Sequence, residues 1–472
     1  MSIRCNPIFR PLLLVSCAAL HFQASAADEI IIDGGTDNAA PAEIVIDGGQ
    51  PSGGEILIDE PAAAAVAAAA ETHTAGNFRI GIDDVRFEYG SFTHSGSASN
   101  RALYGKVAAS ANWQPDPAWE MQLAARVDGY EEDGSDDFSK LDGDYGDSFV
   151  RYRGDNLKVT FGTQTVIWGR LDELPLSDRV STADLTRGVV DDLEDRRRSN
   201  PMLRVESFIA GGKLDLVWLM DFRAAEMPDR NSVWYPVDRR KGRLLGFDPD
   251  DVPPALIRNA VIDEDEPDGD GGFGARYTRS HSFADIGMTV AHTRQSMPYY
   301  RAVGNTLHTE YPRSWAFGID AATNIADAIW RIEAVYSSDN PVTRRDLSYT
   351  TVEAVQWGVG VEMHPGDGDA RVNLQLIGSN LIGAPHILDR SEIYTFNGEI
   401  EIPFDRERWR ASLDFNLGLD AKDVYLNPEV AFLGWEPHEL FVAAHYLEGS
   451  VNTLGGFYRD ASMVNVGWRA KF

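Results

Sequence analysis

The sequence predicts an all-β fold, a transmembrane antiparallel β-barrel of about 18 strands. Three observations predict it. Segments of up to twelve residues alternate strictly between apolar and polar, the number of such segments is even, and their connections alternate between short and long. Strict period two marks a strand with two different faces. A soluble sandwich alternates as well, but its strands run to about 5–6 residues, whereas a membrane-spanning strand needs about 9–11.

The chain begins with an export signal at residues 1–26. Arg4 and Arg10 give a positive start, "PLLLVSCAAL" is the apolar stretch, and "ASA" at Ala24 to Ala26 is the cleavage site. "LVSC" at Leu14 to Cys17 also resembles a lipobox, but it leaves only Pro11 to Ser16 after Arg10, so cleavage after Ala26 is preferred. No other segment reaches the 18 or so apolar residues of a membrane helix. Both cysteines, Cys5 and Cys17, lie in the signal. Their removal excludes a disulfide framework, a zinc thiolate site and a cysteine nucleophile. The formal net charge of −30 opposes nucleic-acid binding, and no basic stripe offsets it.

Residues 27–77 form an acidic arm with no Lys, Arg or aromatic residue. Such a composition buries too little apolar surface to offset the entropy of ordering, so a disordered periplasmic arm is expected. Within it "EIIIDGG" (Glu29 to Gly35) returns as "EIVIDGG" (Glu43 to Gly49) and "EILID" (Glu55 to Asp59). Each copy could add to an open sheet edge of a periplasmic partner, with avidity from repetition. The candidate contact residues are Ile30, Ile32 and Asp33, Ile44, Ile46 and Asp47, and Ile56, Ile58 and Asp59. Low-complexity drift is the competing reading.

The barrel is expected over 78–472. Strands are placed at 78–90, 101–113, 119–130, 146–154, 157–168, 202–210, 213–223, 272–280, 284–295, 313–325, 328–337, 351–363, 369–378, 391–403, 408–419, 424–433, 438–447 and 461–472. "RWRASLDFNLGL" shows the pattern, with Trp409, Ala411, Leu413, Phe415 and Leu417 on one face and Arg410, Ser412, Asp414 and Asn416 on the other. Apolar faces often begin or end in an aromatic, as a girdle requires, and the short turns fall at one end, expected to be periplasmic. "FRIGIDDVRF" changes phase between Ile82 and Val85, which predicts a bulge. Pro428 inside "VYLNPEV" predicts an edge or bulge.

The ending "GWRAKF" resembles the insertion signal of Gram-negative outer-membrane barrels. "FGTQTVIWGRLDELPLSDRVSTADL", Phe161 to Leu185, resembles a poorly characterised outer-membrane family carrying G-x-Q-x-x-x-W-G-x-x-D, and is similar to the eighteen-stranded alginate-export barrel. The matching positions are Gly162, Gln164, Trp168, Gly169, Arg170, Asp172, Asp178 and Asp184. Members are often encoded beside RND-type inner-membrane exporters and periplasmic lipid-carrier-like proteins. The resemblance therefore implies envelope transport, contact with outer-membrane lipid, and an RND-type exporter system as a partner.

An eighteen-stranded barrel leaves an open lumen, so one long connection is expected to fold inward. The segment 169–201 is the candidate, with a helix-start signal at Ser181 and Thr182 and acids running into Arg196, Arg197 and Arg198. A solvated external loop is the competing reading. The expected pore-lining residues are Arg126, Arg151, Arg153, Arg204, Arg331, Arg371 and Arg410, with Glu120, Asp128, Glu206 and Asp215. They form either a selectivity path or a ladder of cross-strand ion pairs. Arg151 and Arg153 are the candidate anion-contacting pair. The acid cluster Asp263 to Gly272 does not match an EF-hand spacing. No G-x-S-x-G motif is present, and His292 is the nearest candidate for a hydrolase dyad. The expected function is an outer-membrane channel for export or trafficking of a small or amphipathic molecule, with no cofactor or metal. A passive uptake porin for small organic solutes and a structural anchor are the alternatives.

Overall fold

The computed structural model describes residues 78–472 except 136, 173–174, 192, 194, 367 and 385. The signal, the acidic arm and its three repeats lie outside the described residues. The described chain is one closed antiparallel barrel of 18 strands. They are β1 (Phe78–Phe92), β2 (Ser99–Asp116), β3 (Trp119–Gly134), β4 (Phe138–Tyr145 and Ser148–Arg153), β5 (Leu157–Gln164), β6 (Asn200–Ile209), β7 (Gly212–Leu219), β8 (Gly272–Ser280) and β9 (Asp285–Arg294). The second half is β10 (Arg313–Ile325), β11 (Ala328–Thr343), β12 (Tyr349–Met363), β13 (Arg371–Ile382), β14 (Glu392–Phe404), β15 (Trp409–Gly418), β16 (Asp423–Trp435), β17 (His438–Gly449) and β18 (Met463–Lys471).

β4 is one spanning strand in two pieces. Both pieces pair with β3 in succession, and only the lower one, Ser148–Arg153, also pairs with β5. Consecutive strands pair all the way round, and β1 closes on β18 from Asp84↔Lys471 to Phe92↔Met463. Closure removes the free edges that an open sheet would leave unpaired in lipid.

The faces follow the alternation. Ile80, Leu123, Phe161, Trp218 and Ile332 point outward and are exposed, as lipid-facing side chains must be in an isolated barrel. Aromatics gather at both rims. At the short-turn end Trp119 meets Tyr152 at 5.1 Å and Trp409 meets Phe432 at 4.9 Å. At the long-loop end Phe273, His292 and Trp315 cluster, with His292 stacked on Trp315 at 4.5 Å.

The expected bulge in β1 is present, a register shift between Ile82 and Asp84. The inserted residue moves the outward face from Ile80 and Ile82 to Phe87 and Tyr89. Pro428 does not produce the expected edge or bulge. It pairs with Leu413 in register inside the sheet, and only the ladder to β17 is interrupted, between Leu426 and Glu429. A missing N–H removes one bond without changing the count of residues.

Several boundaries differ from the sequence expectation, among them β11, which runs to Thr343 rather than 337, and β13, which runs to Ile382 rather than 378. The stretch 131–145, read as a loop, is mostly strand, because β3 runs to Gly134 and the upper half of β4 starts at Phe138. β5 ends at Gln164 rather than 168, and β7 at Leu219 rather than 223, because the chain turns into the lumen at both points. The connection 220–271 also departs from a simple solvated loop. Tyr235, Val237, Phe247, Val252, Ile257, Ile262 and Leu307 form an apolar core at the long-loop end. Val261–Asp263 pairs there with Thr306–Glu310, which pairs with Tyr299–Val303.

Candidate functional site

The lumen is crossed by residues 165–199. Two glycines with positive φ stand near the point where the segment leaves the wall, Gly162 still within β5 and Gly169 beyond it. Gly162 has φ 135°, and a Cβ there would stand 2.3 Å from the Ser148 carbonyl oxygen. Gly169 has φ 127°, and a Cβ there would stand 2.9 Å from Glu333 Oε1. Both positions favour glycine by conformation and by space. The close approach lets the Glu333 carboxylate accept the backbone N–H of Arg170 at 3.1 Å, of Leu171 at 3.4 Å and of Ser177.

From there the segment is pinned to the wall by side chains. The Trp168 indole N–H donates to Asp215 of β7 at 3.3 Å, and its ring is buried with Val166, Val180, Met202, Val217 and Leu219. Arg170 pairs with Asp320 of β10, which also holds Arg276 of β8 at 2.8 Å. Asp172 lies 3.3 Å from Arg331 of β11 and accepts from Asn373 of β13. Asp178 pairs with Arg197 of the same segment at 3.1 Å. Asp184 meets Arg126 of β3 at 3.0 Å. Gln164 is buried at the departure point.

The far end of the segment reaches the opposite wall. Arg187 pairs with Glu88 of β1 and lies 3.8 Å over the Tyr104 ring of β2. Asp195 pairs with Arg86 of β1 at 3.1 Å and with Lys106 of β2. Tyr425 of β16 donates to the Val189 carbonyl at 3.1 Å. The connection therefore folds inward, and it is held by charge as well as by apolar packing. Burial raises the Asp172 carboxyl to about 7, against the pull of Arg331, and it raises Asp178 and Asp191 as well.

Each arginine expected to line the pore lies against a carboxylate. Arg126 meets Asp128 at 2.7 Å, and Arg204 meets Asp215 at 2.6 Å and Glu206 at 3.4 Å. Arg331 meets Glu362 at 2.7 Å, Arg371 pairs with Glu399, and Arg410 meets Glu439 at 3.2 Å. Glu206 also holds Lys158 and Lys213. Arg151 and Arg153 are not a bare pair, because Glu120 lies against both. The geometry is that of ion pairs along the wall, most of them cross-strand, with Arg126–Asp128 and Arg204–Glu206 within one strand.

The remaining candidates sit elsewhere. His292 belongs to the outward aromatic cluster rather than to the lumen. In the acid cluster, Asp263 meets His308 at 2.9 Å, Glu264 pairs with Arg230, and Asp270 pairs with Arg313. Among the described residues no group of three or more His, Cys, Asp or Glu could hold a metal ion. Sequence reasoning missed Glu333, Asp320 and Glu88 as anchors. The alternation gives their inward face, but nothing local names a partner 99 to 163 residues away.

A closed apolar-coated barrel with a charged, partly filled lumen defines a porin-like protein of the outer-membrane kind. Residues 81–433 match the family described as "Protein of unknown function (DUF1302)", and the chain belongs to that family. No curated protein matches. Solved structures similar in fold include Pseudomonas aeruginosa OpdL, at 11% identity and a TM-score of 0.46 over 84% of this chain and 98% of that one. Acinetobacter baumannii OccAB3 gives 10% identity and a TM-score of 0.49 over 84% and 99%. Salmonella typhi OmpF, in complex with daunomycin, gives 9% identity and a TM-score of 0.43 over 85% and 100%.

Proposed function

We propose that the protein is a gated outer-membrane channel for export or trafficking of a small or amphipathic molecule, with residues 165–199 as the gate. One observation carries this reading: a single inward segment is tied to opposite walls by ion pairs. Charged anchors can exchange partners with a polar solute or with one another, which a continuous apolar core cannot do. In this reading the short-turn end faces the periplasm and the long-loop end the outside. The acidic arm then hangs in the periplasm, where its Ile-rich repeats recruit a partner, and an RND-type exporter system is the candidate supplier of substrate. Passive uptake of small organic solutes is the second reading, favoured by a basic cavity at the long-loop end.

The test is conductance of the full mature chain in planar bilayers. Arg170→Ala removes one anchor while Arg276 still holds Asp320. It should raise conductance several-fold with the barrel still folded. Unchanged conductance in Arg170→Ala would remove the gate from this segment, and silence in both proteins would favour a structural anchor. For the arm, replacing Ile30, Ile32, Ile44, Ile46, Ile56 and Ile58 with Ser should abolish capture of the periplasmic partner yet leave the barrel inserted. Undiminished capture would end the docking idea.

A further inference from the structure

A cavity of about 450 Å³ lies between three connections at the long-loop end: 93–98, 220–271 and 450–462. That volume falls within the ~300–1,000 Å³ of small-molecule sites. Its charge runs against that of the chain as a whole, whose formal net charge is −30. Arg230, Arg239, Arg240, Lys241 and Arg243 line it against two acids, Asp238 and Asp460. Three of the cations are neutralised locally. Arg230 pairs with Glu264, Lys241 with Asp460, and Arg243 with Asp238 at 3.1 Å.

Arg239 and Arg240 differ. Both are exposed, and Arg240 donates to the Gly96 carbonyl at 3.2 Å. Among the described residues no carboxylate is recorded against either. In the other long basic run, Arg196 to Arg198, Arg197 meets Asp178 and Arg198 meets Asp144 and Glu226. The cavity also has an apolar side, formed by Tyr235, Ile262 and Phe457. Residues 229–235 separate it from a second cavity of about 40 Å³, lined by Asp229 and Trp234 together with Thr186, Arg187 and Val190 of the inward segment.

We propose that this cup binds a small organic anion with an apolar body. The carboxylate or phosphate meets Arg239 and Arg240, and the body lies against the aromatic side. Guanidinium groups suit both anions, because their N–H fork matches two oxygens. The proposal deepens the channel reading by giving the class of solute held beside the gate. It is measured without transport, so failure of one is distinguishable from failure of the other.

The test is equilibrium dialysis of the full mature chain in neutral-detergent micelles, with phenyl phosphate as the probe. Saturable binding is expected, weaker for inorganic phosphate and for benzyl alcohol. The double variant Arg239→Gln with Arg240→Gln should lose about tenfold or more in affinity. The control, Arg344→Gln with Arg345→Gln, removes the same charge from another exposed basic pair at that end and should bind as the parent does. Heat-modifiable gel mobility checks that both variants are folded. Absent saturable binding, or equal loss in both variants, would overturn the site. Equal affinity for inorganic phosphate would overturn the apolar component. Displacement of phenyl phosphate by lipid A added to the micelles would assign the cup to a lipid headgroup and overturn the free-solute proposal.

Discussion

Asp172 shows what one residue of the inward segment can do. Burial disfavours the charge of its carboxyl, Arg331 favours it and Glu362 opposes it, so burial and Glu362 together outweigh Arg331 and place its pKa at about 7. In the unfolded chain the same group titrates near 4. The folded protein therefore binds this proton more tightly, so the Asp172 contribution to stability falls as pH rises from about 4 to about 7 and is flat above that. Limited proteolysis of the segment should show it better protected at pH 5 than at pH 8, and Asp172→Asn should flatten that difference. An equal difference in the variant would place the titration elsewhere. The residues of the inward segment were legible in the sequence as a motif, since Gly162, Trp168, Gly169, Arg170 and Asp172 all lie in it or near its departure from the wall. Their partners were not, because the contacts run to strands far along the chain.

At the scale of elements, the strands were legible because lipid outside and water inside impose period two on every one of them. Their ends were harder. Leu157, Val159 and Phe161 face outward, yet Val166 and Trp168 fall on the other parity and are buried in the lumen. The apolar phase thus flips where the wall stops, a signal present in the sequence but masked by treating 157–168 as one strand. Turn chemistry leaves its own trace. The β6–β7 turn puts Ala210 at φ 52° beside Gly211 at φ 74°, the pairing of a two-residue turn that twists with its strands. An alanine is unfavourable in that region by about 1 kcal/mol. Ala210→Gly should therefore raise the unfolding midpoint of the inserted barrel by a comparable free energy, read by denaturant titration. A lowered midpoint would show that the turn gains more from restricted unfolded chain than it loses in strain.

Across the whole molecule, the closing seam of the ring meets the filled centre at Glu88. Glu88 of β1 accepts from Asn465 of β18 at 3.2 Å and pairs with both Arg86 of its own strand and Arg187 of the inward segment. Losing it leaves two buried guanidiniums without that partner, a change that costs about 3–5 kcal/mol when a buried pair is broken. Glu88→Ala should therefore weaken the gate and the barrel together, lowering heat resistance on gels while conductance rises. Loss of one effect without the other would show that the two are independently held.

That seam has a consequence in time. Hairpins between neighbouring strands form from residues close in sequence, but Glu88 and Asn465 stand 377 positions apart. Contacts of such separation form late, because the chain must be gathered before they reward it. The last join of the barrel and the securing of its inward segment thus belong to the same step. An unclosed intermediate would lack the Glu88 bond to Asn465 that helps hold the gate's far anchor, so the pore would be at its leakiest just before it is finished.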